Sequence, residues 1–91
     1  MPALHFTTHL QRFFPELKQG EAVEGRTVAE VVAFVNERHP GLADYVVDEH
    51  GALRKHVNIF LNDDLITDRL HLSDQVDEKA RVFIFQALSG G

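Results

Sequence analysis

The chain contains no cysteine and no tryptophan. Without thiols it can form no disulfide, no cysteine nucleophile, no cysteine-ligated zinc and no iron–sulfur cluster. Any sulfur chemistry must therefore take place on some other group of the chain. Positive charge is also scarce: 9 Lys+Arg stand against 14 Asp+Glu, a formal net charge of -5. That balance argues against non-specific binding to nucleic acid or to an anionic membrane surface, which needs clustered cations. No apolar run approaches the ~20 residues of a membrane span. The opening Met1-Pro2-Ala3-Leu4-His5-Phe6 lacks the basic start and apolar stretch of a signal peptide, so the expected address is cytoplasmic. Repeats and low-complexity tracts are missing too. What is present, 91 residues of which 44% are apolar, suits one small core.

Alternation of apolar and polar residues over Leu4-His5-Phe6-Thr7-Thr8-His9 predicts a first strand. Pro15 and Gly20 punctuate a connection to a short second strand at Glu21-Ala22-Val23-Glu24. Thr27 and Glu30 have the spacing of a capping box. Val28, Val31, Val32 and Val35 then fall on one stripe, which predicts a helix over Thr27–Arg38, closed by Pro40-Gly41. Leu42 to Lys55 is mixed, with a turn signal at Glu49-His50-Gly51. Val57, Ile59 and Leu61 alternate in a strong strand that stops at Asn62-Asp63-Asp64. Leu65-Ile66 and Leu70-His71-Leu72 read as a brief edge strand plus turns, and Arg81-Val82-Phe83-Ile84-Phe85 as the final strand. This order predicts an α+β, β-grasp (ubiquitin-like) fold: a mixed sheet of four to five strands, one main helix on one face, and the two terminal strands at its centre. The domain spans 1–86, and 87–91 forms a flexible tail ending in Gly90-Gly91.

Two consequences follow from period-two geometry. If the helix covers Leu4, Phe6, Val57, Ile59, Leu61, Val82 and Ile84, then His5, Thr7, Phe60, Phe83 and Phe85 lie on the other face. With one helix available, that face has no cover, and the phenyl rings form an apolar patch of the kind that marks partner surfaces. The alternative buries Phe83 and Phe85 and turns the aliphatic set outward; the aliphatic stripe on the helix favours the first packing. Beyond Phe85, five or six residues reach about 16–20 Å from the body. Gly90 and Gly91 lack Cβ atoms, so such an end can thread a narrow channel and present its carboxylate to another protein's active site.

Rival sites are weak. His5 and His9 are too far apart on a strand to share one metal, and His39, His50, His56 and His71 have no helical zinc spacing. They read as surface or strand histidines, with no metal expected. Asp63, Asp64 and Asp68 do not fit a calcium loop and read as turn residues. Gly20, Gly25, Gly41 and Gly51 are scattered singly, so no phosphate-binding loop exists and no bound cofactor is expected. Activation of the terminus would need a partner with its own ATP site.

Two stretches carry a family likeness. His56-Val57-Asn58-Ile59-Phe60-Leu61-Asn62, together with Arg81-Val82-Phe83-Ile84-Phe85 followed by Gly90-Gly91, resembles the MoaD/ThiS family of ubiquitin-like sulfur-carrier proteins. Length and the long helix-to-strand connection look more like the MoaD and CysO-type members. Where the family commonly has Gly-Asp-Glu before the last strand and proline after it, this chain has Val76-Asp77-Glu78 and Gln86-Ala87. The resemblance implies a carrier rather than an enzyme. An E1-like adenylating enzyme of the MoeB/ThiF type uses ATP to adenylate the Gly91 carboxylate. The adenylate becomes a thiocarboxylate, and its sulfur passes to an acceptor synthase or to a large subunit such as that of molybdopterin synthase. The pathway would be of molybdopterin, thiamin or cysteine type. On this reading Gly91 is the carrier group, Gly90, Ser89 and Leu88 thread the tail, and Phe60, Phe83 and Phe85 dock the partner. The same terminus suits a ubiquitin-like modifier joined to target lysines through Gly91, and a plain interaction module is a third reading.

Overall fold

In a computed structural model, residues 1–86 are described; the expected tail, 87–91, lies outside them. Five strands form one sheet: β1 Ala3–Phe6, β2 Glu21–Ala22, β3 Val57–Leu61, β4 Asp64–Leu65 and β5 Arg81–Gln86, in the order β2-β1-β5-β3-β4. The two terminal strands lie side by side and parallel at the centre, with Leu4 opposite Val82 and Phe6 opposite Ile84. β3 flanks β5 antiparallel, and β2 and β4 are short antiparallel edges. This is the β-grasp arrangement that the element order predicts.

Helix α2, Val28–Arg38, packs across one face. Thr27 caps it by accepting a hydrogen bond from the Glu30 amide at 3.2 Å, while the Glu30 carboxylate accepts from the Arg26 amide at 3.0 Å. The reciprocal contact thus reaches one residue further back than the usual box. Val28, Val31, Val32 and Val35 are all buried against the sheet. Each valine gives up about 0.5 kcal/mol of helix propensity relative to alanine. Burial returns roughly 1.5–2 kcal/mol per side chain, so packing decides the helix. The aliphatic sheet positions Leu4, Val57, Ile59, Val82 and Ile84 form the other half of this core and are at most 1% exposed.

The structure departs from the sequence-based expectation in three places. The first strand ends at Phe6, and Thr8–Gln11 form a helical turn, α1, instead of continuing extended to His9. In register, Thr7 and Thr8 would still lie opposite Phe85 and Gln86 of β5; the chain turns instead and folds Leu10 back onto the core, where it is 1% exposed. Within the mixed segment, Leu42–Val46 form α3, whose Leu42 and Val46 are fully buried at i, i+4 spacing. Asn36 Oδ1 accepts from the Gly41 and Ala43 amides at 3.1 and 3.0 Å and so joins α2 to α3. His39 is not a surface residue: it is buried, with Nε2 3.1 Å from Glu21 Oε2, and ties the helix end to β2.

Between β4 and β5, Asp68 organises a turn. Its carboxylate accepts from the Ser73 hydroxyl and from the Leu70, His71 and Ser73 amides. These bonds, the Ser73 hydroxyl foremost, hold its carboxyl down at about 2. The turn carries Leu72 at φ 53° and seats its side chain in the core.

Gly25 precedes α2 at φ 151°, and a Cβ there would stand 2.7 Å from the Val31 backbone nitrogen. Gly51 also has positive φ, 83°, yet nothing lies within 4 Å of its added Cβ. Gly25→Ala should therefore lose about 1–3 kcal/mol in urea denaturation, and clearly more than Gly51→Ala; equal losses would show that the α2 entry yields without strain.

Candidate functional site

The uncovered face of the sheet is built by register. His5 on β1 pairs with Phe83 on β5, Phe83 with Phe60 on β3, and Phe60 with Leu65 on β4. One cross-strand row therefore runs His5–Phe83–Phe60–Leu65 over four strands, all projecting away from α2. Cross-strand neighbours on one face sit close enough to pack side by side. The His5 and Phe83 rings stack at 6.3 Å with 11° between planes. Phe85, two residues along β5, stacks on Phe83 at 6.2 Å. Phe60 and Phe83 are half-buried by these neighbours, whereas Phe85 is 44% and Leu65 54% exposed.

The alternation argument thus holds for the three phenylalanines: the aliphatic set is the core and the aromatic set faces out. Leu65 escaped the sequence reading. The tight turn at Asn62-Asp63 was the available signal, because a two-residue connection fixes the register that puts Leu65 opposite Phe60. Thr7 belongs elsewhere: its hydroxyl, 3.3 Å away, accepts from the Gln86 amide.

Polar groups frame the patch. Asn58, opposite Phe85, is held by Arg69, whose Nη1 donates to Asn58 Oδ1 at 3.0 Å. The other guanidinium nitrogen, Nη2, donates to the Arg54 and Val57 carbonyls at 2.8 and 2.9 Å. Arg81 lies 3.9 Å from Asp63 at the far end, an exposed pair that contributes little stability.

The Thr7 amide donates to the Ile84 carbonyl at 3.1 Å, and the Gln86 amide donates to the Thr7 hydroxyl at 3.3 Å. The preceding strand edge is closed by Gln19, whose side-chain amide both accepts from the Phe6 amide, at 3.1 Å, and donates to the Phe6 carbonyl, at 2.7 Å. Gln86, opposite Val57, is the last ladder residue among the described ones, at the same end of the sheet as Phe85. Leu88, Ser89, Gly90 and Gly91 lie outside the described residues.

At the opposite end, an open groove is lined by Met1, Pro2, Gly25, Arg26, Gln75 and Glu78. The nearby α2 amides are already engaged: Val28 donates to the Asp74 carbonyl, Ala29 to the Leu72 carbonyl and Glu30 to Thr27. They are not free to cradle a phosphate. Among the described residues, no group of three His, Cys, Asp or Glu side chains converges as a metal site. Among the same residues, no helix is long and apolar enough to cross a membrane.

The profile described as the ThiS family matches residues 5–91. A search of curated protein sequences finds no significant match. Among solved structures, the chain is similar to CysO in the Amycolatopsis orientalis BexX/CysO complex, with TM-score 0.85 and 23% identity over 100% of both chains. It is similar to Mycobacterium tuberculosis CysO, with TM-score 0.80 and 20% identity over 97% of this chain and 100% of that one. Small archaeal modifier protein 1 from Methanosarcina acetivorans gives TM-score 0.76 and 18% identity over 99% and 95%. At these identities the likeness establishes the fold.

Because Phe85 faces solvent and Ile84 the core, substitutions at the two should separate cleanly. Phe85→Asp should change unfolding free energy by less than about 1 kcal/mol, while Ile84→Ala should cost about 2–4 kcal/mol. A large loss of melting temperature in Phe85→Asp would contradict this assignment of faces.

Proposed function

The chain belongs to the ThiS family, and from that membership we propose that it is a sulfur carrier whose working group is the carboxylate of Gly91. The observation that carries this reading is the extent of the family match, which reaches through the final strand to the Gly90-Gly91 end. A carboxylate is a poor acyl donor, so it must first be activated. Its oxygen attacks the α-phosphate of ATP in an E1-like enzyme of the MoeB/ThiF type and releases pyrophosphate. A sulfide equivalent then displaces AMP from the acyl-adenylate and leaves a thiocarboxylate. That group transfers its sulfur to an acceptor on a synthase of molybdopterin, thiamin or cysteine type.

The division of labour suits the residues. The aromatic face of Phe60, Phe83 and Phe85 docks the body on the activating enzyme, and burying exposed phenyl surface supplies affinity. Gly90, Ser89 and Leu88 then thread toward the ATP site while the sheet stays outside. A chain without cysteine carries no thiol that would attack its own activated terminus. ATP is consumed by the partner, so this reading puts the chain in the cytoplasm. Partner binding has a parallel in the Amycolatopsis orientalis CysO, which was solved as a complex with BexX.

A second reading has its own support, since the Methanosarcina acetivorans neighbour is named a modifier protein. The same adenylate, attacked by a lysine amine in place of sulfide, would join Gly91 to a target protein through an isopeptide bond.

Intact-mass spectrometry of protein purified from its native cells tests the carrier directly. The expected result is a species heavier by the difference between sulfur and oxygen, lost in a chain lacking Gly91. Lysines of other proteins carrying this chain's C-terminal tryptic peptide, which starts at Val82 because Arg81 is the last basic residue, with no thiocarboxylate species, would overturn the carrier in favour of the modifier.

A further inference from the structure

His5 sits at one end of the apolar row, a titratable side chain on the face that docking would bury. Its ring stacks on Phe83 at 6.3 Å, and Gly20 leaves space beside it, where even an added Cβ would stand 3.8 Å from His5 Cε1. The charged side chains on the adjoining elements offer it no counterion. On β5 the charged neighbour is Arg81, paired with Asp63. On the β2 side, Glu21 is bound to His39 toward the helix layer, and Lys18 is cationic. α1 contributes His9, which packs edge-on against Phe13. β3 and the residue before it contribute Asn58 and His56, and β4 begins with Asp64, next to Asp63. Among the described residues, no carboxylate lies within ion-pair distance of the His5 ring.

An imidazolium moved from water into an apolar contact without a counterion loses its hydration and gains no compensating charge. The neutral ring loses much less and packs as an extension of the phenyl row. Resting on the docking reading above, we infer that His5 makes this face a neutral-form docking surface: it fits an uncharged apolar strip on the activating enzyme, with no carboxylate opposite His5, and releases that partner as the ring is protonated. The sign follows from linkage. The docked state disfavours the protonated ring, so affinity is complete above the imidazole's titration range and falls as pH drops through it. Below the midpoint each pH unit weakens docking by up to about tenfold.

The test measures the dissociation constant of the full chain for its purified MoeB/ThiF-type enzyme from pH 8.0 to 5.5 by calorimetry, for the wild type, His5→Gln and Phe85→Asp. Melting temperatures recorded at each pH confirm that every variant is folded. The wild type should weaken on the order of tenfold over this range, with about that much of the slope removed in His5→Gln, which discounts the enzyme's own titration. Phe85→Asp should weaken docking at every pH. If Phe85→Asp binds normally, the docking face itself is misassigned and both claims fall. If Phe85→Asp is weak but His5→Gln keeps the wild-type slope, docking stands and the His5 inference is overturned. Tighter wild-type binding at acid pH, abolished in His5→Gln, would place a partner carboxylate opposite His5 and would likewise overturn it.

Discussion

One helix layer cannot cover both faces of a five-stranded sheet, and the rest of this molecule follows from how the chain divides its side chains under that constraint. α2 supplies branched aliphatic surface in Val28, Val31, Val32 and Val35, and the sheet answers with Leu4, Val57, Ile59, Val82 and Ile84. All of these side chains except Leu4 are β-branched and stiff at χ1, so they interdigitate at low rotamer cost. Period two then leaves the intervening positions to water, and in β3 and β5 the intervening positions are Phe60, Phe83 and Phe85. Aromatic residues favour strands, so the sheet itself gains from them. Their faces, however, remain without a helix to bury them.

The central parallel pair couples that face to the end of the chain. β1 and β5 point the same way, so the strand that carries Phe83 and Phe85 also delivers the C-terminal segment from the same end of the sheet. On the β1 side the ladder gives way because β1 turns into α1 after Phe6, and on the opposite edge of β1 the Phe6 amide and carbonyl are both bonded by the Gln19 side chain. Gln86 is left bonded to the Thr7 hydroxyl. The aromatic row thus lies at the end of the sheet that Gln86, the last described residue, occupies.

Much of this was legible from residue order alone. The valine stripe, the Thr27/Glu30 spacing and the alternation in β3 and β5 are strong local signals whose tertiary partners agree with them, and they identified the aromatic face. The missed features are those in which tertiary contacts override local pattern. Thr7-Thr8-His9 reads as strand, yet the chain turns at Thr8 to carry Leu10 into the core. α3 is short and carries its signal only in Leu42 and Val46. His39 could not be assigned to the interior without knowing that Glu21 crosses to meet it. Leu65 required the register of a neighbouring strand. Gly91, proposed to carry the chemistry, and Gly90 before it are identified by composition and family alone, since glycine carries no side chain to form a pattern.

The central claim is that the sheet face opposite α2 is the surface through which the chain is recognised. Nuclear magnetic resonance of the isotope-labelled chain, titrated with its purified adenylating enzyme, addresses it most directly. The account predicts that the ring signals of Phe60, Phe83 and Phe85 and the methyls of Leu65 shift or broaden together, while Phe34 and its cation–π partner Arg38 on the helix side stay unmoved. Perturbation centred on Phe34 and Arg38, with the aromatic row unchanged, would contradict it.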